Sequence, residues 1–292
     1  MERPLVLMGV PIDSVGRTGG TELAPEAFRA LVRPGDPWSS DLGDLDVRVR
    51  GDVRDPSTGI VASDDVLSMT RIVEGATAEL VAGGFIPFLM GGCCSLVPGA
   101  VAGARRAAGP VGLAYLDGHL DLYDGTTSPT GEAADMPMAV ALGIGPRAWK
   151  EAAGATIEGR HAAILGYRDL EEALGYGHPH PDTIDGLTHV DADGVRADPS
   201  GVGTHVAERF SRDPGRFWVH LDVDVLDEDV FPATDYLMPG GLELAQLAEV
   251  LRPLLSAPAL AGVSVGCYNP EKDPRGSCAA TLIQLYRDTL VS

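Results

Sequence analysis

The sequence predicts a three-layer α/β/α fold built around a mostly parallel, doubly wound sheet. Short β-prone apolar runs alternate with stretches of helical spacing along the whole chain, which is typical of such folds. Some of these runs end in glycine and lead into a helix, as in the strand, tight turn and helix of an α/β unit. No linker, repeat or low-complexity tract interrupts the alternation, so residues 1–292 are predicted to form a single domain.

The predicted strands are compact apolar runs bounded by residues that favour turns. Such runs are typical of strands that are buried on both faces of a parallel sheet. They occur at residues 4–10, 85–90, 111–116, 162–166, 217–221 and 261–265. Alternation of apolar and polar residues over 45–49 predicts an edge strand in addition.

The predicted helices carry apolar residues at a spacing of three and four. They occur at residues 64–82, 96–108, 204–210, 242–255 and 276–291. A further helix is expected to begin near Pro25 after a glycine-rich loop, since proline is tolerated in a first turn. Residues 128–143 predict a loop that leads into a small helix, and residues 175–200, rich in Gly, His, Pro and Asp, predict a loop excursion.

Charge and composition exclude several classes of partner. The formal net charge is −20, with 42 acidic against 22 basic residues, which repels phosphate backbones and anionic lipids. No apolar run approaches the roughly 18 residues needed to cross a bilayer. The N-terminus lacks the features of a secretory signal, and four irregularly spaced cysteines are too few for a disulfide framework. We therefore expect a cytoplasmic protein with reduced thiols, no nucleic-acid partner and no membrane partner.

Two predicted strands run directly into residues that bind metal ions. A D-x-H-x-D pattern follows the strand at 111–116, and a D-x-D pattern follows the strand at 217–221. Ligands collect at the carboxyl ends of strands in open α/β sheets, and alternate side chains of an extended segment lie on one side. The ligand candidates are Asp117, His119, Asp121, Asp222 and Asp224.

Four carboxylates and one imidazole near a core are stable only if cations neutralise them. Bridging carboxylates with few soft ligands suit a pair of divalent ions such as manganese, whereas zinc sites are more often richer in His and Cys. Two ions can share a bridging water, produce hydroxide near neutral pH and polarise the group under attack. These residues therefore predict metal-dependent hydrolysis of a small molecule.

Three separated segments resemble the metal signatures of the ureohydrolases, the family of arginase, agmatinase and formiminoglutamase. GGCCS, DGHLD and HLDVDVLDED are similar to the family patterns GGDHS, DAHxD and SxDxDxxDP. The resemblance extends to GVPIDSVGRTGGTELAPEAFRA, DLGD, LGYRD and a late NP. It implies a dinuclear Mn²⁺ hydrolase of linear amidines, with a homo-oligomer of three or six chains.

The resemblance also implies the roles of the ligand candidates. Asp117 and Asp222 would bridge both ions, Asp121 would bind the first ion and orient the nucleophilic hydroxide, and His119 and Asp224 would complete the second site. The catalytic candidates are Asp117, Asp121 and Glu132.

Cys94 stands at the position of the remaining family ligand, the histidine of GGDHS. A thiolate can hold a divalent ion, although a softer ligand weakens the preference for Mn²⁺ and favours Zn²⁺ or Fe²⁺. Alternatively, Cys94 is only a small buried residue behind a single remaining ion. Cys93 replaces the family aspartate and is expected to support the turn.

Other departures concern the substrate. Ala134 takes the position of the family's proton-shuttle histidine, so the leaving group would be protonated by Glu132, by His178 or His180, or by solvent. Cys267 takes the position of the glutamate that pairs with the guanidinium, which removes a charge-assisted contact of roughly 1.5–3 kcal/mol. The implied substrate-binding residues are Tyr123, Thr130, Glu132, Glu171 and Cys267.

These departures leave three functional hypotheses open. The first is hydrolysis of a guanidino or amidino C–N bond in an arginine-like molecule, releasing urea or hydroxyurea, because a subset of the family that acts on N-hydroxyarginine carries Cys at the position of Cys94. The second is hydrolysis of an amide or formimino substrate that lacks a guanidinium. The third is a non-catalytic relative that binds a ligand without turnover.

Overall fold

The strands of the computed structural model, which describes residues 3–14 and 19–290, form a single sheet. In chain order they are β1 (Leu5–Val10), β2 (Ser40–Asp44), β3 (Ile86–Gly91), β4 (Gly112–Leu116), β5 (Ala162–Tyr167), β6 (Thr188–Asp191), β7 (Phe217–Asp222) and β8 (Leu260–Gly266). Their order across the sheet is β2-β1-β3-β8-β7-β4-β5-β6, and every neighbouring pair is parallel. The predicted doubly wound parallel sheet is confirmed.

Helices cover both faces of this sheet. They are α1 (Ala24–Arg29), α2 (Ser63–Ala82), α3 (Val97–Ala108), α4 (Pro137–Ala141), α5 (Arg147–Ala153), α6 (Leu170–Gly175), α7 (Ala192–Ala197), α8 (Pro199–Arg212), α9 (Leu244–Leu255) and α10 (Ser277–Leu290). Apolar residues of α2 to α5 form the core on one face, and those of α1 and α7 to α10 form the core on the other. The arrangement is the predicted three-layer α/β/α sandwich. Among the described residues, no helix combines the length and the apolar character that crossing a bilayer requires.

The central strands show why apolar runs predicted them well. Every residue of β4 is buried, and its side chains alternate between the two cores: Leu113 and Tyr115 face one, and Ala114 and Leu116 face the other. A strand covered on both faces has no solvent side, so it reads as a continuous apolar run. Beyond the strands the chain leaves the extended conformation: residues 117–124 form no strand, and Val223–Val225 form a short 3-10 turn. The alternation expected of the two ligand segments is therefore not maintained, and turns direct their side chains.

The edges of the sheet differ from the prediction. The edge strand is Ser40–Asp44, mostly exposed and poor in apolar residues, whereas residues 45–49 form no strand. Residues 175–200 contain β6, α7 and the start of α8 rather than a continuous loop. An edge strand has one neighbour and a solvent-exposed side, so it needs little apolar sequence, and periodicity detects it poorly.

Two smaller differences concern helix length and the N-terminal loop. The helix predicted at 204–210 extends over Pro199–Arg212, and its Asp198 cap accepts from the Gly201 N–H (3.0 Å). Part of the predicted glycine-rich loop, residues 15–18, and the last predicted helical residue, Val291, lie outside the described residues.

Candidate metal centre and active site

The candidate metal centre lies at the carboxyl ends of four neighbouring central strands, β3, β8, β7 and β4. Pairing of Leu116 with Leu221 places Asp117 and Asp222, the next residue on each chain, side by side. Both side chains are almost fully buried. Parallel strands thus bring carboxylates that are far apart in the sequence to one edge of the sheet, where such folds bind their ligands.

Two cysteines also lie at this edge of the sheet: Cys267 directly follows β8, and Cys94 lies in the turn after β3. Asp222 pairs with Gly266, so Cys267 starts one residue beyond the level of Asp222. The turn after β3 passes close to the chain that leaves β1. A Cβ on Gly92 would lie 1.5 Å from a backbone carbonyl oxygen there, so this position requires glycine. The Cys267 N–H donates to the Gly92 carbonyl (2.5 Å), and this contact holds Cys267 beside the turn that carries Cys94.

A cavity of about 350 Å³ opens at this edge. Its lining includes every predicted metal ligand: Cys94, Asp117, His119, Asp121, Asp222 and Asp224. It also includes three of the predicted substrate-binding residues: Tyr123, Thr130 and Cys267. The structure therefore brings together the residues that the separated motifs indicated.

The donor atoms of the described residues form four overlapping groups, two of which suit the predicted pair of cations. Asp117, His119 and Asp224 offer donors within 4.8 Å of one another, and so do Cys94, Asp117 and Asp121. In the first group, His119 Nδ1 lies 3.4 Å from Asp117 Oδ1 and 3.1 Å from Asp224 Oδ2. Because these two groups share Asp117, the arrangement suits two cations that share a carboxylate ligand.

Hydrogen bonds from the backbone orient the carboxylates of the second site segment. The Gly118 N–H donates to Asp224 Oδ1 (3.0 Å), and the Asp224 N–H donates to Asp222 Oδ1 (3.0 Å). The Arg168 guanidinium donates to the carbonyl oxygens of Asp224 (2.7 Å) and Val225 (3.2 Å) and thereby stabilises the turn that carries Asp224. Such outer contacts determine where metal ligands point. The sequence motifs did not indicate this role for Arg168.

Asp121 is held in an uncommon conformation. Its φ is 50°, in the left-handed region that non-glycine residues rarely adopt, and the Tyr115 hydroxyl donates to its Oδ2. Strained backbone of this kind concentrates at functional sites, where surrounding structure maintains it. The strain turns the Asp121 carboxylate back toward Asp117.

The electrostatics of the metal-free protein favour cation binding. Burial, together with the charge of Asp224, raises the pKa of Asp117 to about 7. Burial and neighbouring carboxylates also raise the pKa of Asp121 and Asp222 well above their usual range. Burial opposes ionisation of Asp224, but the charge and hydrogen bond of His119 keep its pKa below the ordinary value. Several buried carboxyl groups therefore lack a positive partner.

The residues present fit divalent cations. Asp117 Oδ2 is buried and accepts no hydrogen bond from the described residues, although a carboxylate oxygen in that position needs a partner. A shared cation would provide it, and would also remove the repulsion that raises the carboxyl pKa values. Carboxylate, imidazole and thiol donors together are a set that binds first-row divalent metals.

His220 is a potential donor that the motifs did not indicate. It is completely buried, its ring stacks on Tyr115 with centroids 4.9 Å apart, and its Nδ1 lies 2.8 Å from Ser264 Oγ. Its Nε2 has no hydrogen-bond partner among the described residues and lies within 4.8 Å of donor atoms of Asp117 and Asp222. The sequence could have indicated this donor, because His220 precedes Asp222 by two residues on β7 and alternate residues of a strand share a face.

Two predicted substrate-binding residues do not line the cavity. Glu171 and Glu172 are both exposed, but only Glu172, together with the buried Asp169, lines the cavity. Glu132 is buried outside the lining and accepts a hydrogen bond from the hydroxyl of Tyr236, which does line it. Glu171 and Glu172 are adjacent residues of α6, and Glu172 is the one that lies in the cavity lining.

The loop histidines considered as proton donors do not line the cavity either. His178 is buried, its Nε2 accepts from the Leu122 N–H (2.9 Å), and its Nδ1 lies 2.8 Å from the Pro179 carbonyl oxygen. Burial lowers its pKa to about 4, so it is a neutral residue that supports the loop. His180 is absent from the lining as well, whereas Ala134 is present.

The fold and this site define a metal-dependent hydrolase of the ureohydrolase type. The chain belongs to the arginase family, whose family model matches residues 3–291. It is 25% identical to the arginase of Agrobacterium fabrum over 292 residues, which span 96% of this chain and 88% of that relative. It is also 25% identical to the arginase of Brucella melitensis, over 97% of this chain and 95% of the relative. The family is dinuclear and metal-dependent, in agreement with the two donor groups.

Solved structures show the same fold. The arginase from Bacillus caldovelox superposes with a TM-score of 0.90 at 22% identity, over 100% of this chain and 99% of that one. The proclavaminate amidino hydrolase from Streptomyces clavuligerus superposes with a TM-score of 0.71 at 21% identity, over 99% and 91% of the two chains. The predicted family, fold class and enzyme class are confirmed.

Proposed function

We propose that this chain hydrolyses a guanidino or amidino C–N bond of a small cationic molecule of the arginine or N-hydroxyarginine type. The charge of the cavity is the observation that carries this proposal. Its lining contains eight acidic side chains and, among the described residues, no lysine or arginine. Four of them belong to the ligand set, and the other four are Asp135, Asp169, Glu172 and Asp235. A cavity of this composition favours a cationic substrate over an anionic one.

The metal ligands would divide between two ions. Asp117 and Asp222 lie between the groups, His119 and Asp224 supply hard and borderline donors on one side, and Cys94 lies on the other. The first of these sides suits Mn²⁺. When bound, two such ions lower the pKa of a water and polarise the carbon under attack.

Asp121 would carry the proton of the reaction. Its Oδ2 accepts from the Tyr115 hydroxyl, which leaves Oδ1 to receive a proton as the water oxygen bonds to the guanidino carbon. As the C–N bond breaks, the same proton can pass to the leaving nitrogen, since Ala134 offers no donor in the cavity wall.

A second substrate class is favoured by one observation. Cys267, not a carboxylate, lines the cavity where the family pairs its guanidinium, so a formimino or amide group with no positive charge would lose no contact there. Solved relatives of the same fold include a formimidoylglutamase from Bacillus subtilis, with a TM-score of 0.74. This alternative releases ammonia or an amine without urea.

Product analysis separates the two substrate classes. The purified chain, depleted of metal by a chelator and reloaded with Mn²⁺, is incubated with arginine, N-hydroxyarginine, agmatine and formiminoglutamate. Urea or hydroxyurea from at least one guanidine, abolished by the chelator and restored by the ion, is the expected result. Turnover of formiminoglutamate alone would replace the first substrate class by the second. Absence of urea and hydroxyurea from every guanidine, with metal bound, would contradict the proposal.

The structure and the family resemblance indicate different glutamates for substrate binding. Glu172 lines the cavity, whereas the resemblance indicates Glu171. If Glu172 binds the cationic end of the substrate, Glu172→Gln should raise KM by about tenfold and change kcat little. The lost interaction is a charge-assisted hydrogen bond that is partly exposed to solvent. Glu171→Gln should have the smaller effect, because Glu171 lies outside the cavity. Steady-state kinetics of both variants show which glutamate binds the substrate. A larger change of KM in Glu171→Gln would favour Glu171, as the family resemblance indicates.

A further inference from the structure

We propose that Cys267 is a metal ligand which, with Cys94 and Asp222, forms a thiolate-rich half of the dinuclear centre that binds a thiophilic cation such as Zn²⁺, Co²⁺ or Fe²⁺. The inference rests on the metal centre of the proposed function and assigns Cys267 a role other than substrate contact. The two halves then differ in character: carboxylate and imidazole donors on one side, thiolates on the other.

The first support is the distance between the donors. Cys94 Sγ, Cys267 Sγ and a carboxylate oxygen of Asp222 all lie within 4.8 Å of one another. In a tetrahedral site with Zn–S bonds of about 2.3 Å, two sulfur ligands stand about 3.8 Å apart. The group is therefore compact enough to surround one ion after only small side-chain movements.

The second support is the backbone of Cys267. Its φ is 65°, a left-handed conformation that is strained for any residue with a Cβ, and its N–H is held by the Gly92 carbonyl. A glycine would meet this backbone requirement without strain, so the side chain has a reason to be there. The strained geometry directs a half-buried thiol toward the cavity and into contact with both Cys93 and Cys94. Strain of this kind is typical of residues held in place for function.

The third support is the different surroundings of Cys93. Its Sγ contacts the Cys267 thiol, but it also accepts from the Ser14 N–H (3.3 Å) and lies 3.4 Å from the Thr21 hydroxyl in the N-terminal segment. It belongs to none of the donor groups of the described residues. The predicted supporting role in the turn suits Cys93, and Cys94 and Cys267 are the pair that faces Asp222.

The chemistry agrees with this assignment. The Cys94 thiol contacts Cys267, and its donor hydrogen is directed at the Ala134 carbonyl oxygen (3.2 Å). Binding of a cation would release the protons of both thiols to solvent and form two metal–sulfur bonds, with no change in oxidation state. Two thiolates beside one carboxylate discriminate against Mn²⁺, which prefers oxygen ligands, and in favour of Zn²⁺, Co²⁺ and Fe²⁺.

Cobalt spectroscopy tests the assignment without reference to catalysis. Metal-free protein, kept reduced with a non-thiol reductant, is titrated with Co²⁺, and the near-ultraviolet thiolate-to-cobalt charge-transfer absorption is recorded. Two thiolate ligands predict that Cys267→Ser and Cys94→Ser each retain about half of the wild-type intensity, and that the double variant retains none. Cys278→Ser is the matched control, because Cys278 lies in α10, is buried in the core and does not line the cavity. The preference for Zn²⁺ over Mn²⁺ should fall by about tenfold or more in Cys267→Ser.

Full charge-transfer intensity in folded Cys267→Ser would overturn the inference, as would tight Co²⁺ binding to the wild type with no such absorption. If Cys267→Ser does not fold, alkylation of the wild type decides: Zn²⁺ should protect Cys267 from iodoacetamide, and labelling unaffected by Zn²⁺ would equally reject it. Urea release is measured on the same samples. Thiolate absorption without urea release counts against the proposed function alone, whereas urea release without thiolate absorption counts against this inference alone.

Discussion

Replacing Asp222 by Asn should lower kcat/KM by about 10³-fold or more, because metal activation of a nucleophile and polarisation of the substrate contribute several kcal/mol and each 1.4 kcal/mol is about tenfold. Asp222 belongs to two of the donor groups, with the thiols and with Asp117 and His220. An amide cannot bridge two cations as a carboxylate does. Metal analysis of the same variant should show less than the about two ions per chain expected of the wild type.

The control for this variant is Asp229→Asn, which removes an exposed carboxylate a few residues beyond the site. Both variants carry the same change of net charge, so a general effect of charge on stability or steering would appear in both. If Asp222→Asn keeps the metal content and the kcat/KM of the wild type, Asp222 is not a ligand shared by two metal ions.

The second large effect concerns the stability of the metal-free protein, which should fall as the pH rises from about 4 to 7. The folded pKa of Asp117 is raised to about 7, so the folded state binds more protons than the unfolded state over this range. Asp121 and Asp222 act in the same direction, while the lowered pKa of Asp224 acts in the opposite one. The expected loss in the free energy of unfolding is on the order of a few kcal/mol.

His119 extends the same trend to higher pH. Burial opposes its protonation, but the charge of Asp224 and the hydrogen bonds to Asp117 and Asp224 raise its pKa well above the ordinary value. A raised imidazole pKa contributes stability that is complete below about 6.5 and is lost as the pH passes the folded value. Asp117 and His119 therefore both make the metal-free protein less stable on the alkaline side.

Denaturant unfolding at a series of pH values, with and without a chelator, measures this effect. Asp117→Asn should flatten the pH dependence of the metal-free protein, because it removes the carboxyl group whose pKa is raised. Saturating Mn²⁺ should remove most of the slope in the wild type and add stability, since the ions bind the folded state preferentially. Stability of the chelated wild type that increases steadily from pH 4 to 7 would contradict the burial of uncompensated carboxyl groups at this site.

The proposed two-thiol half offers a reason for Cys94 at the position of a family histidine ligand. The side with His119 and Asp224 has only oxygen and nitrogen donors, whereas the side with Cys94 would gain a second thiol from Cys267. A lone thiolate in place of a histidine would give a weakened Mn²⁺ site. A pair of thiolates gives a site for a different ion, so the substitutions at positions 94 and 267 are best interpreted together.

Much of the fold was predictable because it depends on local patterns. The central strands are covered on both faces and appear as apolar runs, and Asp117, His119 and Asp121 follow one of these runs directly. The edge strand at Ser40–Asp44 and the strand at Thr188–Asp191 were missed because exposed edges carry little apolar sequence. Their positions depend on pairing with a neighbour, and periodicity does not report on pairing.

The sequence by itself determined the fold class, the family and the six candidate ligands, because strand ends and short metal signatures are contiguous in the chain. Only the tertiary structure decided which side chains share the cavity. The register of β8 against β7 and the contact of the Cys267 N–H with Gly92 set Cys267 beside Asp222 and Cys94, and α6 places Glu172 but not Glu171 in the cavity lining. Contacts of this kind depend on distances between elements and on the direction of single side chains, and a linear pattern contains neither.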